Sequence, residues 1–195
     1  MIETLGVNIG GRNNLLITYT EDFEIEENGK WISHPDPTLG PRGYSYCTGH
    51  KRLLKCGKGN YVFFHTTKTN PATGQDGRFI TAYFVIKDVG LGKQIVPRHN
   101  ITGAAKHANG IDDHYVIVGE ENCSRKLKEP GLLFDRHFAK RLVFDPSKSI
   151  RFDIVDKNGE KLSDLQCIAS ATRNIRILTD EDVKNLRHEI NRLGL

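Results

Sequence analysis

Cysteine and histidine side chains gather in one part of the sequence, and these residue types are the usual ligands of Zn²⁺. The candidates are Cys47, His50, Cys56 and His65. Structural zinc sites are built from closely spaced ligand pairs at both ends of the motif, whereas only Cys47 and His50 are closely spaced here. We therefore predict no metal site and no cofactor.

Catalytic motifs are also absent at the required spacing. His99, Asn100, His107 and His114 resemble a His-Asn-His nuclease in composition, but they lack flanking cysteine pairs and the spacing of the metal-binding hairpin. No Gly-x-Ser-x-Gly nucleophile elbow occurs, and the glycines at 6–11 come without the lysine of a phosphate-binding loop. The sequence therefore predicts no catalytic residues of a metal nuclease or serine hydrolase. A small pocket enzyme stays open.

Positive charge is concentrated in one segment of this mildly basic chain, whose net charge is +4 and whose pI is about 8.8. Residues 42–68 contain six Lys and Arg residues and no Asp or Glu, whereas residues 21–27 contain five carboxylates. A basic face beside an acidic one is suited to steering a phosphate-bearing partner. We therefore predict that residues 42–68 contact nucleic acid.

Strand signals dominate the central part of the chain. Runs of apolar, aromatic and β-branched residues predict strands at 15–19, 59–67, 79–86, 115–119 and 150–155. The runs at 59–67 and 79–86 flank a polar turn, which predicts an antiparallel hairpin at the centre of the sheet. Residues 34–43 hold three prolines and two glycines, and they predict a long loop.

Helices are predicted at two places. Apolar residues spaced by four predict a short helix at 135–142. Thr179, with Asp182 three residues later, predicts the start of a C-terminal amphipathic helix. Its apolar stripe is Val183, Leu186, Ile190 and Leu193.

These elements predict a single α+β domain over residues 1–195, with a curled, mostly antiparallel sheet or partly open β-barrel and peripheral helices. No apolar run reaches the roughly 18 residues of a membrane-spanning helix. The N-terminus has no basic segment followed by an apolar one, so we expect a cytoplasmic protein with reduced cysteines.

The order of several short motifs resembles the PUA-like superfamily, in particular its EVE and YTH domains and nucleotide-modification-associated families. The motifs are Gly43-Tyr44, Lys51–Leu54, Lys58–His65 and Ile80–Ile86. The resemblance covers residues 36–135, and Asn60 stands where those domains have Asp. It implies a PUA-like fold and a pocket, walled by the hairpin, that takes a flipped and often modified base.

Base recognition needs a stacking surface, a polar edge and cations for phosphates. We expect the pocket between the 42–50 loop and the hairpin strands. The predicted nucleic-acid-binding residues are Arg42, Tyr44, Tyr46, His50, Arg52, His65, Arg78, Tyr83, His107 and Arg125. The last two rest on the family-like order of motifs alone.

The leading hypothesis is a non-catalytic reader of a flipped or modified base in a DNA-modification or defence context, with DNA or RNA as its partner. One alternative is an enzyme acting on modified nucleotides, similar to ASCH-type amidohydrolases that use lysine, threonine and glutamate. Lys68 or Lys93 with Thr66 or Thr81 could serve, but the sequence shows no matching glutamate. The other alternative is a protein-interaction module.

Overall fold

A long antiparallel hairpin forms the centre of the main sheet, as the sequence predicts. The computed structural model describes residues 11–19, 23–27, 30–34, 37–40, 43–146 and 148–195, and for 23–27 and 30–34 it describes the backbone alone. Arg42 and part of the predicted 34–43 loop therefore lie outside the described residues.

The main sheet has eight strands, and two further strands pair separately. In chain order the strands are β1 Asn14–Thr18, β2 Phe23–Glu27, β3 Lys30–His34, β4 Ser45–Thr48, β5 Tyr61–Thr69, β6 Asp76–Leu91, β7 Tyr115–Gly119, β8 Arg125–Lys126, β9 Leu132–Leu133 and β10 Arg176–Leu178. The main sheet runs β10-β1-β5-β6-β7-β4, with β8 and β9 paired to β6, while β2 pairs with β3.

The main sheet is mixed and is not closed into a barrel. Strands β1 and β5 pair in parallel, and all the other pairs are antiparallel. The first half of β6 pairs with β5, and its second half leaves that partner to pair with β7. The prediction of an α+β fold with a mostly antiparallel, curled sheet is therefore confirmed at this level.

The helices pack around this sheet. They are α1 Gly92–His99, α2 Arg136–Ala139, α3 Asp164–Thr172 and α4 Asp180–Arg192, with 3₁₀ helices at Lys51–Lys55 and Ala104–Gly110. The predicted start of the C-terminal helix is confirmed, because Thr179 and Asp182 form a reciprocal capping box. The helix predicted at 135–142 is present as the shorter α2, capped by Asp135.

Both faces of the central strands are covered. Leu16 and Phe63 pack on one face, against α3 and α4, while Leu15 and Phe64 pack on the other, against the segment that includes Leu53. Double-sided burial explains why β1 and β5 are continuous apolar runs rather than alternating ones.

The strand predicted at 150–155 is wrong. Only Val155 forms a bridge there, with Lys161, although Ile150 and Phe152 are buried as their alternation indicates. Their side chains are buried against the core without any neighbouring strand at these positions. The alternation of apolar and polar residues indicates that one side of a segment is buried. It does not indicate that a neighbouring strand is present to form hydrogen bonds.

Candidate functional site

Two of the predicted stacking residues, Tyr44 and Tyr46, pack against aromatic side chains of the hairpin. Tyr46 is 9% exposed, and its ring lies edge-on to Phe64 with the ring centres 5.2 Å apart. Tyr44 lies edge-on to Phe84 at 5.5 Å. Because β4 pairs with β7 and turns these tyrosines onto the hairpin, they extend the core instead of lining a pocket in the described residues. Where we expected these two rings to line a pocket, they therefore pack against the hairpin.

The third predicted stacking residue lies on the opposite face of the sheet. Tyr83 precedes Phe84 on β6, so its ring projects to the other side. It packs near Phe63 and Tyr61, with ring centres 5.6 and 6.1 Å away. Tyr83 therefore cannot share one aromatic cage with Tyr44.

A threonine hydroxyl joins two predicted binding residues beneath the hairpin. Thr18 Oγ1 donates its hydrogen to the carbonyl oxygen of Thr172 at 2.7 Å. It therefore accepts from Nε2 of His65 at 2.8 Å and from Nη2 of Arg78 at 3.1 Å. Burial first, and then the charge of Arg78, hold the pKa of His65 well below 6.5, so this fully buried ring is neutral at pH 7.

Arg78 is a buried cation without a counter-ion among the described residues. It is 7% exposed, and its Nη1 donates to the hydroxyl of Thr67, the residue opposite it in the hairpin, at 2.8 Å. Its Nε has no partner in the described part of the chain. Burial lowers the pKa of Arg78. A desolvated guanidinium with an unused donor is costly unless a ligand or water completes its hydrogen bonds.

A cavity of about 250 Å³ lies beside this guanidinium, between the hairpin turn, the β9–α2 connection and the start of α3. We call it the Arg78 cavity. Its lining residues are Asn70, Thr73, Gln75, Asp76, Gly77, Arg78, Leu133, Phe134, Asp135, Arg136, Asp164, Leu165 and Ile168.

The carboxylates of the Arg78 cavity are exposed, unlike Arg78 itself, and each already has a partner. Asp164 lies 3.0 Å from the guanidinium of Arg136, and Asp76 accepts the hydroxyl hydrogen of Thr69 at 3.1 Å. Asp135 caps α2 through the Phe138 amide. The cavity thus combines a buried cation, apolar walls and an acidic, solvent-facing rim.

A second concave surface contains Arg52, from the acid-free segment. Its volume is about 230 Å³, and we call it the basic groove. Its lining residues are Arg52, Lys55, Asp145, Pro146, Lys148, Ile175, Arg176 and Ile177. Four cations therefore face one carboxylate, and none of the four forms an ion pair with a carboxylate in the described part of the chain.

Backbone carbonyl groups hold both guanidinium groups of the basic groove. Nη1 of Arg52 donates to the carbonyl oxygen of Ile175 at 3.0 Å. Arg176 donates to the carbonyl oxygens of Ala171 at 3.1 Å and Lys148 at 2.8 Å. Partial burial, and then the neighbouring charge of Arg52, lower the pKa of Arg176. The two like charges are thus fixed close together.

The remaining predicted residues lie outside both concave surfaces. His50 is exposed and caps a 3₁₀ helix, its Nδ1 accepting from the Arg52 amide at 3.4 Å. Nδ1 of His107 donates to the carbonyl oxygen of Ala104 at 2.6 Å. Arg125 is exposed on the short strand β8. Among the predicted binding residues that the structure describes, Arg52 alone lines the basic groove and Arg78 alone lines the Arg78 cavity.

A glutamate side chain lies beside Lys68, one of the two lysines named for the enzyme alternative. Nζ of Lys68 is 2.7 Å from Oε2 of Glu129, in the connection between β8 and β9. Thr66 is buried on β5 and shares a face with Lys68, because residues two apart in a strand point the same way. The lysine–glutamate contact could not be found from spacing, since the two residues are far apart in the chain.

The four candidate zinc ligands do not converge. The Cys56 thiol donates to the Leu53 carbonyl oxygen, and burial raises its pKa to about 12. His65 is instead hydrogen-bonded to the hydroxyl group of Thr18. Cys47 lies 3.7 Å from Nε2 of His107. Among the described residues, no three His, Cys, Asp or Glu side chains are grouped to hold a metal ion.

Comparison of the chain with protein-family models, with curated proteins and with solved structures finds no match. None of the helices in the described ranges combines the length and apolar character needed to cross a bilayer.

Proposed function

We propose that this chain is a nucleic-acid-binding domain that contacts phosphates through the basic groove. The observation that carries the proposal is the set of four cations, Arg52, Lys55, Lys148 and Arg176, gathered around one concave surface without ion-paired carboxylates among the described residues. Partial burial, and then the repulsion from Arg52, lower the pKa of Arg176, and a bound phosphate would relieve that repulsion.

The groove is also prepared for binding before a ligand arrives. Arginine normally loses side-chain freedom when it binds, which costs roughly 0.5–1.5 kcal/mol per ordered side chain. Here backbone carbonyls already hold Arg52 and Arg176, so part of that cost is met on folding. Guanidinium groups held in this way favour the oxygen atoms of phosphates.

Salt dependence tests this function. In fluorescence anisotropy titrations with labelled single-stranded oligonucleotides, we expect binding at 50 mM salt that weakens steeply as salt rises. Four phosphate contacts give a slope of about −3 for log K against log salt, at about 0.7 per contact. No binding at 50 mM salt, or a slope near zero, would refute the proposal. Duplexes, RNA and modified oligonucleotides in the same assay rank the possible partners.

The PUA-like resemblance remains part of this proposal. It is supported by the central β5–β6 hairpin, the open curl of the sheet at β6 and the peripheral helices. The resemblance also implies a pocket that takes a flipped base.

The second candidate function is a small pocket enzyme acting on modified nucleosides, and the contact between Lys68 and Glu129 favours it. An amine and a carboxylate in contact can donate and accept a proton, as hydrolysis of an amide or of an exocyclic amine requires. Thr66 on the same face of β5 would complete the lysine, threonine and glutamate set of the ASCH-type enzymes.

A chromatographic assay against a panel of modified nucleosides tests the enzyme candidate. We expect turnover that is lost in Lys68→Ala and Glu129→Gln, because either change breaks the proton-transfer pair. Lys161→Ala is the matched control, since Lys161 pairs with Asp153 on the surface and is not a candidate catalytic lysine. Absence of product from every nucleoside, or equal loss in the control, would rule out this function.

A further inference from the structure

The Arg78 cavity contains hydrogen-bond donors that the folded chain does not use. Two of the five N–H groups of Arg78 are engaged, one by Thr67 and one by Thr18. The other three, including Nε–H, make no hydrogen bond to a described residue. Nε–H is buried, whereas Nη1 and Nη2 each keep one N–H group without a described partner, and two such groups on one guanidinium match two neighbouring acceptor atoms on a planar ligand.

The charges around the cavity argue against a simple anion as the ligand. Three carboxylates outnumber the two guanidinium groups of Arg78 and Arg136 in the lining, and Asp164 already occupies Arg136. The carboxylates are exposed at the rim, so a phosphate would have to pass them to reach Arg78. A neutral ligand with acceptors on one edge and donors on another meets no such barrier.

The walls and the size of the cavity indicate a small, flat ligand. Leu133, Phe134, Leu165 and Ile168 supply apolar surface, which favours an uncharged ring over a strongly hydrated zwitterion. The volume of about 250 Å³ lies just below the roughly 300–1,000 Å³ of pockets for drug-sized ligands.

We propose that the Arg78 cavity binds a nucleobase, with guanine preferred, so that Arg78 donates to O6 and N7 while the donor edge faces the rim carboxylates. Arginine forms this bidentate contact with guanine, whereas adenine presents an amino donor in place of O6. The base is that of a free nucleoside or of a nucleotide extruded from a strand. The second source rests on the proposed nucleic-acid function, and the first does not.

Calorimetric titration of the full chain with the four ribonucleosides tests the cavity. Nucleosides carry no phosphate, so the basic groove does not contribute to their binding. We expect guanosine to bind about 5- to 150-fold more tightly than adenosine, the range that one bidentate base contact provides. Tighter binding of inorganic phosphate or of free amino acids, or no binding of any nucleoside at millimolar concentration, overturns the inference.

Two variants locate the site. Arg78→Met removes the donors, and Leu165→Trp fills the cavity from α3 while leaving Arg78 in place. Each should weaken guanosine binding at least tenfold, while Leu193→Trp, at an exposed position outside the cavity lining, should leave it unchanged. Thermal melting identifies any variant that has lost its fold. Wild-type affinity in a folded Leu165→Trp protein contradicts the assignment.

Oligonucleotides separate this inference from the proposed function. If an oligonucleotide binds with the expected salt slope but guanosine does not bind, the proposed function of the basic groove is supported and the cavity assignment is wrong. If guanosine binds and oligonucleotides do not, the cavity stands and the nucleic-acid function fails. A guanine-containing strand whose affinity drops in Leu165→Trp, with the salt slope unchanged, supports both.

Discussion

Oligonucleotide affinity is expected to fall about 100-fold when Arg52, Lys55 and Lys148 are all replaced by alanine. Three charge-assisted contacts at roughly 1 kcal/mol each sum to about 3 kcal/mol. The slope of log K against log salt should become shallower by about 2, because three fewer counterions are released at about 0.7 each. Arg176 is retained, since its guanidinium binds two backbone carbonyl groups.

A matched control separates the basic groove from overall charge. Lys157, Lys161 and Lys184 are exposed and lie outside the groove, so their replacement by alanine removes the same three charges. Anisotropy titrations of both triple variants at 50–200 mM salt give the comparison. Equal losses would mean that net charge, and not the groove, attracts the nucleic acid.

The free energy of unfolding is expected to fall by about 3–5 kcal/mol in Asp182→Ala. The Asp182 carboxylate is fully buried and accepts from the amides of Val143 at 2.7 Å, Phe144 at 3.0 Å and Thr179 at 2.9 Å. Alanine leaves these donors without an acceptor, at about 1–3 kcal/mol for each buried group. Val143 and Phe144 lead directly into Asp145 and Pro146, which line the basic groove, so binding should also weaken.

Urea and thermal denaturation measure this loss. A change of this size corresponds to a decrease in Tm of about 10 °C for a chain of this length. Asp182→Asn keeps one acceptor oxygen and should recover part of the stability. Glu181→Ala, at the exposed neighbouring position, should change the free energy of unfolding by less than about 0.5 kcal/mol. A loss below about 1 kcal/mol in Asp182→Ala would contradict the capping role.

Local sequence patterns were sufficient to predict those elements whose secondary structure is specified by residues close together in the chain. The β5 and β6 runs predict the central hairpin because their residue types and turn act over neighbouring positions. Thr179 and Asp182 predict the start of α4 for the same reason. A similar signal was missed at α3, where Ser163 and Gln166 form a capping box. Gly92 opens α1 and Pro97 lies inside it, and both residue types argue against a helix.

The two candidate sites are formed by residues that are far apart in the sequence, and the spacing of residues along the chain does not predict such contacts. The acid-free segment drew attention to Arg52, but Lys148 and Arg176, which line the same groove, lie 96 and 124 residues further on. Arg176 reaches the groove because β10 pairs with β1, and the bridge between Asp145 and Ile177 brings the segment before Lys148 beside β10. Likewise, Arg78 is an ordinary arginine beside a turn until the α3 and β9 segments cover it.

Residue types and alternation in this sequence therefore determined a central hairpin, a capped terminal helix and a concentration of positive charge. Only the tertiary structure decided that Tyr44 and Tyr46 pack onto the core, and that a buried Arg78, with no ion pair to a described residue, faces a cavity. The physical reason is that alternation assigns residues to two faces, while burial depends on which distant segment covers each face. The segment that covers each face also supplies the hydrogen-bond partners and counter-charges of the residues on it, and spacing along the chain does not specify that segment.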